Sequence, residues 1–167
     1  AVTLVVIGVY LNQEDPALTE ISRYHKEMVM SFATLVENKD GSTGGHIKRT
    51  STYVKLLAEE LRSREIYKEE LTDEYLENLY KAAPMHDIGK VGIPDGILHV
   101  PRELCSEEFQ VIKMHTQIGW QILKDKQVFE TAATIAYTHH EHWDGTGYPR
   151  HLKGDKIPLE GRICAVA

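Results

Sequence analysis

Residues 139–149 read HHEHWDGTGYP, in which two histidines and a glutamate precede a turn built on two glycines and a proline. Side chains that can bind a metal, placed directly before a flexible turn, indicate a metal site with a loop at its rim. The chain carries nine histidines in 167 residues, more than this length usually contains. The excess favours a site built mainly from imidazoles.

Apolar residues recur at three- and four-residue steps along most of the chain, which is typical of amphipathic helices. The first such stripe consists of Ile21, Tyr24, Met28, Phe32 and Leu35. We expect helices at residues 16–38, 46–63, 73–86, 106–115 (re-forming at 117–125) and 129–141, with irregular segments at 39–45, 88–105 and 142–161. Because no alternating strand pattern occurs, the predicted fold class is all-α.

Composition and charge argue against several classes of binding partner and metal site. The apolar fraction is 42% and the charged fraction 26%, a balance typical of globular domains. A net charge of −6 argues against a nucleic acid polymer or an anionic membrane as the partner. Cys105 and Cys164 are far apart, which argues against a disulfide framework or a zinc–thiolate site and favours a reducing compartment.

The candidate metal ligands stand at predicted helix ends and comprise His46, His86, Asp87, His115, His139 and His140. Ligands from several helices of a bundle commonly form a metal site. Neighbours on a helix diverge by about 100°, so His86 and Asp87 suit two adjacent metal ions bridged by the carboxylate. Donors of this kind without thiolate favour Fe or Mn, with Zn or Ni as alternatives. Two such ions clamp the oxygens of an in-line phosphoryl displacement.

Simpler interpretations apply to single residues. A lone histidine is usually a core or surface residue, which is how we interpret His25, His99, His142 and His151. Trp143 and Tyr148 either pack beneath the loop or stack on a substrate. Lys90, three residues after Asp87, is placed to neutralise a phosphate oxygen.

HDIGK at 86–90 and HHEHWDGTGYP at 139–149 resemble the two signature motifs of the HD-GYP domain family, a branch of the HD metal-dependent phosphohydrolases. The blocks TGGHIKR (43–49), EEFQVIKMHTQIG (107–119) and LKGDKIPLEGRICAVA (152–167) fit the same family in the same order. The resemblance implies an HD-type helical bundle around a metal site. It also implies hydrolysis of cyclic di-GMP to linear pGpG and then GMP.

The resemblance assigns roles residue by residue. It implies that one metal ion binds His46, His86 and Asp87, and that the other binds Asp87, His115, His139 and His140. Asp87 and Lys90 would be catalytic, and Lys90 would bind the substrate together with the loop residues Gly147, Tyr148 and Pro149. Glu141 and Asp144 are expected to orient ligands and brace the loop.

Three departures from the family pattern affect these expectations. Members with a third metal have a glutamate where this chain has Ser42, so we expect two metal ions. Val100, Pro101 and Arg102 replace a common Lys-Pro-Gly, which alters the phosphate contacts. The family's last metal-binding aspartate follows the stretch matching ICAVA, with which this sequence ends.

These observations predict a domain organisation and a setting. Residues 1–15 are expected to be the remnant of an upstream segment, a membrane-helix tail or a strand, because eleven apolar residues fall short of the roughly 20 that span a bilayer. Residues 16–38 form a linker helix, and 39–167 form an HD-GYP domain truncated at its C-terminal end. The resemblance implies a cytoplasmic domain of a bacterial signalling protein, with membrane attachment left open.

The sequence also allows expectations about binding partners and leaves alternative functions open. The expected partners are a cyclic dinucleotide substrate, a second protomer contacted through the N-terminal helix, and a signalling protein at the GYP loop. One rival function is a phosphohydrolase for another cyclic dinucleotide or a guanosine nucleotide. Others are a non-catalytic sensory or scaffold module and a purely structural bundle.

Overall fold

The computed structural model describes residues 16–41 and 45–167. Within these ranges seven α-helices occupy Pro16–Asp40 (α1), His46–Ser63 (α2), Asp73–Ala82 (α3), Asp95–Leu98 (α4), Ser106–Leu123 (α5), Glu130–Thr138 (α6) and Leu159–Val166 (α7). Short 3₁₀ helices occupy Ala83–Met85, Ile88–Gly92, Gln127–Phe129 and Gly154–Lys156. The described residues contain no strand, so the all-α prediction is confirmed.

Two predictions concern residues that the structure does not describe. The upstream remnant at 1–15 and the substitution at Ser42 both lie outside the described residues. In the part of the chain that is described, no helix combines the length and the apolarity needed to cross a membrane.

The apolar core lies where α2, α3, α6 and α7 meet. Val54 on α2, Leu79 on α3 and Ile135 on α6 are inaccessible to solvent, and Ile163 on α7 packs with them. Burying this apolar surface is the main favourable term in folding. Thr72 caps the start of α3 by accepting a hydrogen bond from the backbone N–H of Tyr75. The core thus fixes the positions of the helices that carry or precede the candidate ligands.

Helix α1 packs on the bundle through a different face from the one its apolar stripe occupies. Its buried side chains include Val29, Ala33 and Val36. The predicted stripe, by contrast, is between 48% and 66% exposed and consists of Ile21, Tyr24, Met28, Phe32 and Leu35. The helix was therefore predicted correctly, while its strongest apolar stripe points into solvent.

Helix α5 is continuous through His115, so the predicted break at 115–117 is wrong, as is the placement of His115 at a helix end. The buried face of α5 carries His115 and Gly119 and lies against the 3₁₀ helix Ile88–Gly92. A side chain at Gly89 would overlap the backbone of His115 and Gly119. Tertiary packing against this glycine keeps α5 helical where local propensity is weak.

Other element boundaries differ from the predicted ones by a few residues. The third helix ends at Ala82, because Pro84 interrupts the α-helical hydrogen bonding, and the chain continues as a 3₁₀ helix. α6 ends at Thr138, so His139 and His140 follow the helix. The segment predicted as loop to residue 161 already enters α7 at Leu159, directly after a proline.

The contact at Gly89 predicts a measurable effect on stability. Gly89→Ala should lower the free energy of unfolding by about 2–3 kcal/mol, because the added methyl group forces the 3₁₀ helix away from α5. Gly96→Ala is the matched control, since its new methyl group would meet no atom within 4 Å. Urea denaturation of both variants provides the comparison, and equal effects would rule out the close approach as the cause.

Candidate metal centre

The carboxylate of Asp87 lies at the centre of a group of histidine rings. Its Oδ1 is 3.3 Å from Nε2 of His115 and 3.7 Å from Nε2 of His139. Its Oδ2 is 3.3 Å from Nε2 of His86. One ligand atom each from Asp87, His115, His139 and His140 lie within 4.8 Å of one another. Within the described residues, this is the group with the geometry to bind a metal ion.

The backbone of their own helical segments fixes three of these rings. The Nδ1 atoms of His86, His115 and His139 lie 2.9, 2.7 and 3.0 Å from the carbonyl oxygens of Ala83, Ile112 and Ile135. A carbonyl oxygen only accepts hydrogen bonds, so each Nδ1 carries the hydrogen. In the neutral ring the lone pair is then on Nε2. Histidines that bind metals are usually oriented by a hydrogen bond of this kind.

Two of these lone pairs face each other. The Nε2 atoms of His115 and His139 are 3.3 Å apart, and Nδ1 is the hydrogen-bearing atom in both neutral rings. Two lone pairs at this distance repel unless a proton or a cation lies between them. The pair therefore favours the binding of a proton or a metal cation between the two nitrogens.

Burial keeps most of the rings neutral at physiological pH. It lowers the pKa of His115 to about 4, helped by the neighbouring charge of His139. It lowers the pKa of His140 to about 3, with further contributions from His139 and His115. The pKa of His139 is also lowered by burial. Neutral imidazole is the form that binds a metal.

Asp87 remains ionised within the group. Burial opposes its charge, but the neighbouring rings of His139 and His86 and the charges of His86 and Lys90 hold the pKa of Asp87 well below its usual range. Burial likewise lowers the pKa of His86, yet the hydrogen bond to Asp87 outweighs it and leaves that pKa raised. The centre thus combines a fixed anion with several neutral donors.

Lys90 is paired with two carboxylates. Its ammonium lies 2.7 Å from Asp87 Oδ2 and 2.7 Å from Asp40 Oδ2. Burial lowers the pKa of Lys90, but the two carboxylates raise it overall, so the side chain stays charged. The predicted position of Lys90 on the same side as Asp87 agrees with this contact.

His46 stands apart from the main group. It begins α2 and is exposed, and its ring centroid is 5.9 Å from that of His86. Of the two predicted ligand sets, the one shared by Asp87, His115, His139 and His140 comes together within the described residues. The set that includes His46 stays a prediction.

Two carboxylates near His46 were not predicted from the sequence to belong to the site. Glu37 is 7% exposed and accepts a hydrogen bond from the backbone N–H of His46, while Asp40 binds Lys90. Both line a cavity together with His46 and Asp87. In the sequence, only their position could have indicated this role. They lie three residues apart at the end of a helix, directly before the loop that leads to His46.

The GYP loop, which contains Gly147, Tyr148 and Pro149, forms one wall of the candidate metal centre. The ring of Tyr148 stacks on the ring of His140, with the two centroids 4.7 Å apart and an angle of 21° between the ring planes. The backbone N–H of Tyr148 donates a hydrogen bond to the His140 carbonyl oxygen. A side chain at Gly147 would overlap the backbone of residues 140–142, so this position requires glycine. Trp143 is 60% exposed and does not pack beneath the loop.

Glu141 and Asp144 organise the loop from within. Glu141 is 3% exposed and accepts hydrogen bonds from the backbone N–H groups of Arg150 and Leu152 at 2.7 and 2.9 Å. Asp144 accepts from the N–H and hydroxyl of Thr146 at 2.9 and 2.7 Å. Among the described residues, neither carboxylate bonds to a ring of the centre. Their contacts therefore support the loop-bracing part of the prediction.

Comparison with known proteins identifies similar sequences. A family model described as an HD domain matches residues 30–167. A cyclic di-GMP phosphodiesterase of Vibrio cholerae is 45% identical over 94% of this chain, and one of Thermotoga maritima is 42% identical over 89%. A 3′3′-cGAMP-specific phosphodiesterase of Vibrio cholerae is 38% identical over 90% of this chain. The chain spans 33%, 39% and 28% of the lengths of these relatives.

The hydrogen bonds of Glu141 generate a prediction about the loop. Glu141→Ala should lower the free energy of unfolding by roughly 2–4 kcal/mol, because two part-buried backbone N–H groups lose their hydrogen bonds to a charged acceptor. Hydrogen exchange should accelerate at the amides of Arg150 and Leu152. Glu69→Ala, at an exposed glutamate, is the control and should leave both quantities unchanged. Unaltered exchange at the two amides in the Glu141 variant would contradict the bracing role.

Proposed function

The chain belongs to the HD domain family and carries the motifs of its HD-GYP branch, and on this basis we propose that it is the catalytic domain of a metal-dependent phosphodiesterase that hydrolyses cyclic di-GMP. The main supporting observation is the ionised Asp87 surrounded by neutral imidazoles, two of which direct lone pairs at each other across 3.3 Å. A site of this kind binds cations that in turn bind a phosphodiester. The names of the relatives support the choice of substrate.

The donor set fits a divalent transition metal. The group offers imidazole nitrogens and a carboxylate, a combination that suits Fe, Mn, Zn and Ni. Among the described residues this group contains no cysteine, so the donor set has no thiolate. We propose two ions, Fe or Mn in preference to Zn or Ni, with Asp87 as the shared ligand. His46 and His86 would complete one set, and His115, His139 and His140 the other.

When bound, such ions lower the pKa of a coordinated water and neutralise charge that develops on phosphoryl oxygens. The protein's own groups then position the substrate. Lys90 would leave Asp87 and contact a phosphate oxygen, since a metal bound to Asp87 competes with the ammonium for the Asp87 carboxylate. Glu141 would hold the loop residues Gly147, Tyr148 and Pro149 beside the substrate.

The proposed reaction adds water across one phosphodiester bond. The water oxygen forms a bond to phosphorus, the bond from phosphorus to the 3′ oxygen breaks, and the leaving oxygen takes up a proton. One round converts cyclic di-GMP to linear pGpG, and a second would give GMP. A hybrid cyclic dinucleotide is the rival substrate, because one relative is named for 3′3′-cGAMP. Product analysis with both substrates distinguishes the two.

We further propose that the protein forms a homodimer through α1. The exposed stripe includes Ile21, Met28 and Leu35, spaced seven residues apart as in a coiled-coil seam, with Tyr24 and Phe32 between them. Such a stripe is complementary to a second copy of the same helix, and pairing would remove five large apolar side chains from water. The signalling partner expected at the GYP loop stays a prediction.

The proposed activity depends on Asp87. In the full-length protein supplied with Mn or Fe, Asp87→Ala should reduce hydrolysis of cyclic di-GMP by more than about 100-fold, because loss of outer partners of a metal ligand alone often costs 10–100-fold. Elemental analysis should show a lower metal content. Asp125→Ala, at an exposed aspartate, is the control. Wild-type turnover by a folded Asp87 variant would exclude this mechanism.

The proposed dimer depends on the apolar stripe. Leu35→Glu should convert the dimer to a monomer in size-exclusion chromatography with light scattering, because the seam would then bury a charge. Thr34→Glu is the matched control, since residue 34 is exposed on the same helix but points about 100° away from residue 35. A wild-type protein that is monomeric at high concentration would refute the proposal.

A further inference from the structure

A cleft with a cavity volume of about 190 Å³ lies between α5 and the GYP loop, beside the metal centre. Gln110, Lys113, Met114 and Gln117 line it from α5, and Tyr148 and Pro149 line it from the loop. The four α5 residues follow helical spacing, so they share one face. This face is polar and cationic, in contrast to the buried face that carries His115.

Tyr148 is the wall shared by the cleft and the centre. Its ring stacks on His140 at 4.7 Å and lies 6.5 Å from His115, while the Lys113 ammonium lies 5.2 Å from the same ring. The ring of Phe109 meets Tyr148 edge to face at 6.3 Å. A substrate whose phosphate is at the metal centre therefore has the cleft next to it, separated from the histidines by one aromatic ring.

Lys113 is a cation without a carboxylate partner among the described residues. Its ammonium lies over the rings of Phe109 and Tyr148, at 4.8 and 5.2 Å from their centroids. Lys90, by comparison, is bound by two carboxylates. In a chain of net charge −6, an ammonium held by aromatic rings beside an open cleft is available to a ligand.

We infer that this cleft is a guanine subsite of the cyclic dinucleotide site proposed above, with Lys113 as the residue that selects guanine. The ammonium has only donors, which match the O6 and N7 acceptors of guanine, whereas adenine presents an amino donor beside N7. Gln110 and Gln117 offer amide groups to the base edge, and Met114 and Tyr148 offer apolar surface to its face. The inference depends on the proposed function and adds its base specificity.

Steady-state kinetics with three substrates test the subsite. The metal-loaded full-length protein and its Lys113→Met variant are compared on cyclic di-GMP, 3′3′-cGAMP and bis(p-nitrophenyl) phosphate, which has no nucleobase. The substitution should raise KM for cyclic di-GMP by roughly 5- to 100-fold, the range expected for a specific base contact. It should change kcat less than about twofold and leave the nitrophenyl ester unaffected. Because 3′3′-cGAMP also carries one guanine, its KM should rise by a similar factor.

A matched control and a binding measurement make the outcomes distinct. Lys124→Met removes another lysine of the same helical segment whose ammonium lies over an aromatic ring, 4.5 Å from the Trp120 centroid. It should behave as wild type. Equilibrium binding should show GMP favoured over AMP, with the preference lost in Lys113→Met.

Two results would overturn the inference. If Lys113→Met hydrolyses cyclic di-GMP with wild-type KM and keeps the GMP preference, the subsite assignment is wrong while the proposed function stands. If the wild-type protein cleaves the nitrophenyl ester but no cyclic dinucleotide, the proposed function fails and the subsite fails with it.

Discussion

The candidate metal centre is organised around the negative charge of Asp87, held among rings that are mostly neutral. A carboxylate withdrawn from water requires compensation by opposite charge or by hydrogen bonds. Lys90 supplies one positive charge, and His86, with its raised pKa, supplies a proton. His115 and His139 present Nε2 lone pairs to the same carboxylate. A metal cation bound among them would satisfy all of these groups together, which is why we interpret the arrangement as a candidate metal centre.

The surrounding fold brings these groups together because glycines, which have no side chain, allow the segments that carry them to approach closely. Gly89 allows the HD motif to touch the backbone of α5 at His115, and Gly161 allows α7 to touch Thr138 just before His139. The helical backbone then orients the rings through their Nδ1 hydrogen bonds. Core packing, ring orientation and ligand geometry are therefore consequences of the same close approach between segments.

Much of this could be predicted, and the remainder has identifiable physical causes. Periodicity predicted the long helices, and the motifs predicted that Asp87 would meet His115, His139 and His140. The direction of α1 was beyond prediction because both of its faces carry apolar residues, and the smaller side chains Val29, Ala33 and Val36 pack closest to the core. The continuity of α5 depends on a tertiary contact with Gly89. Asp40 resembled any carboxylate near a helix end until folding brought Lys90 to it.

Anomalous X-ray diffraction from crystals loaded with Mn or Fe, recorded at the edge of each metal, tests the central claim most directly. We expect anomalous density bonded to Asp87 and to the Nε2 atoms of His115 and His139, at distances of about 2.0–2.2 Å. Density confined to other parts of the surface, with the two Nε2 atoms still facing each other across 3.3 Å, would contradict it.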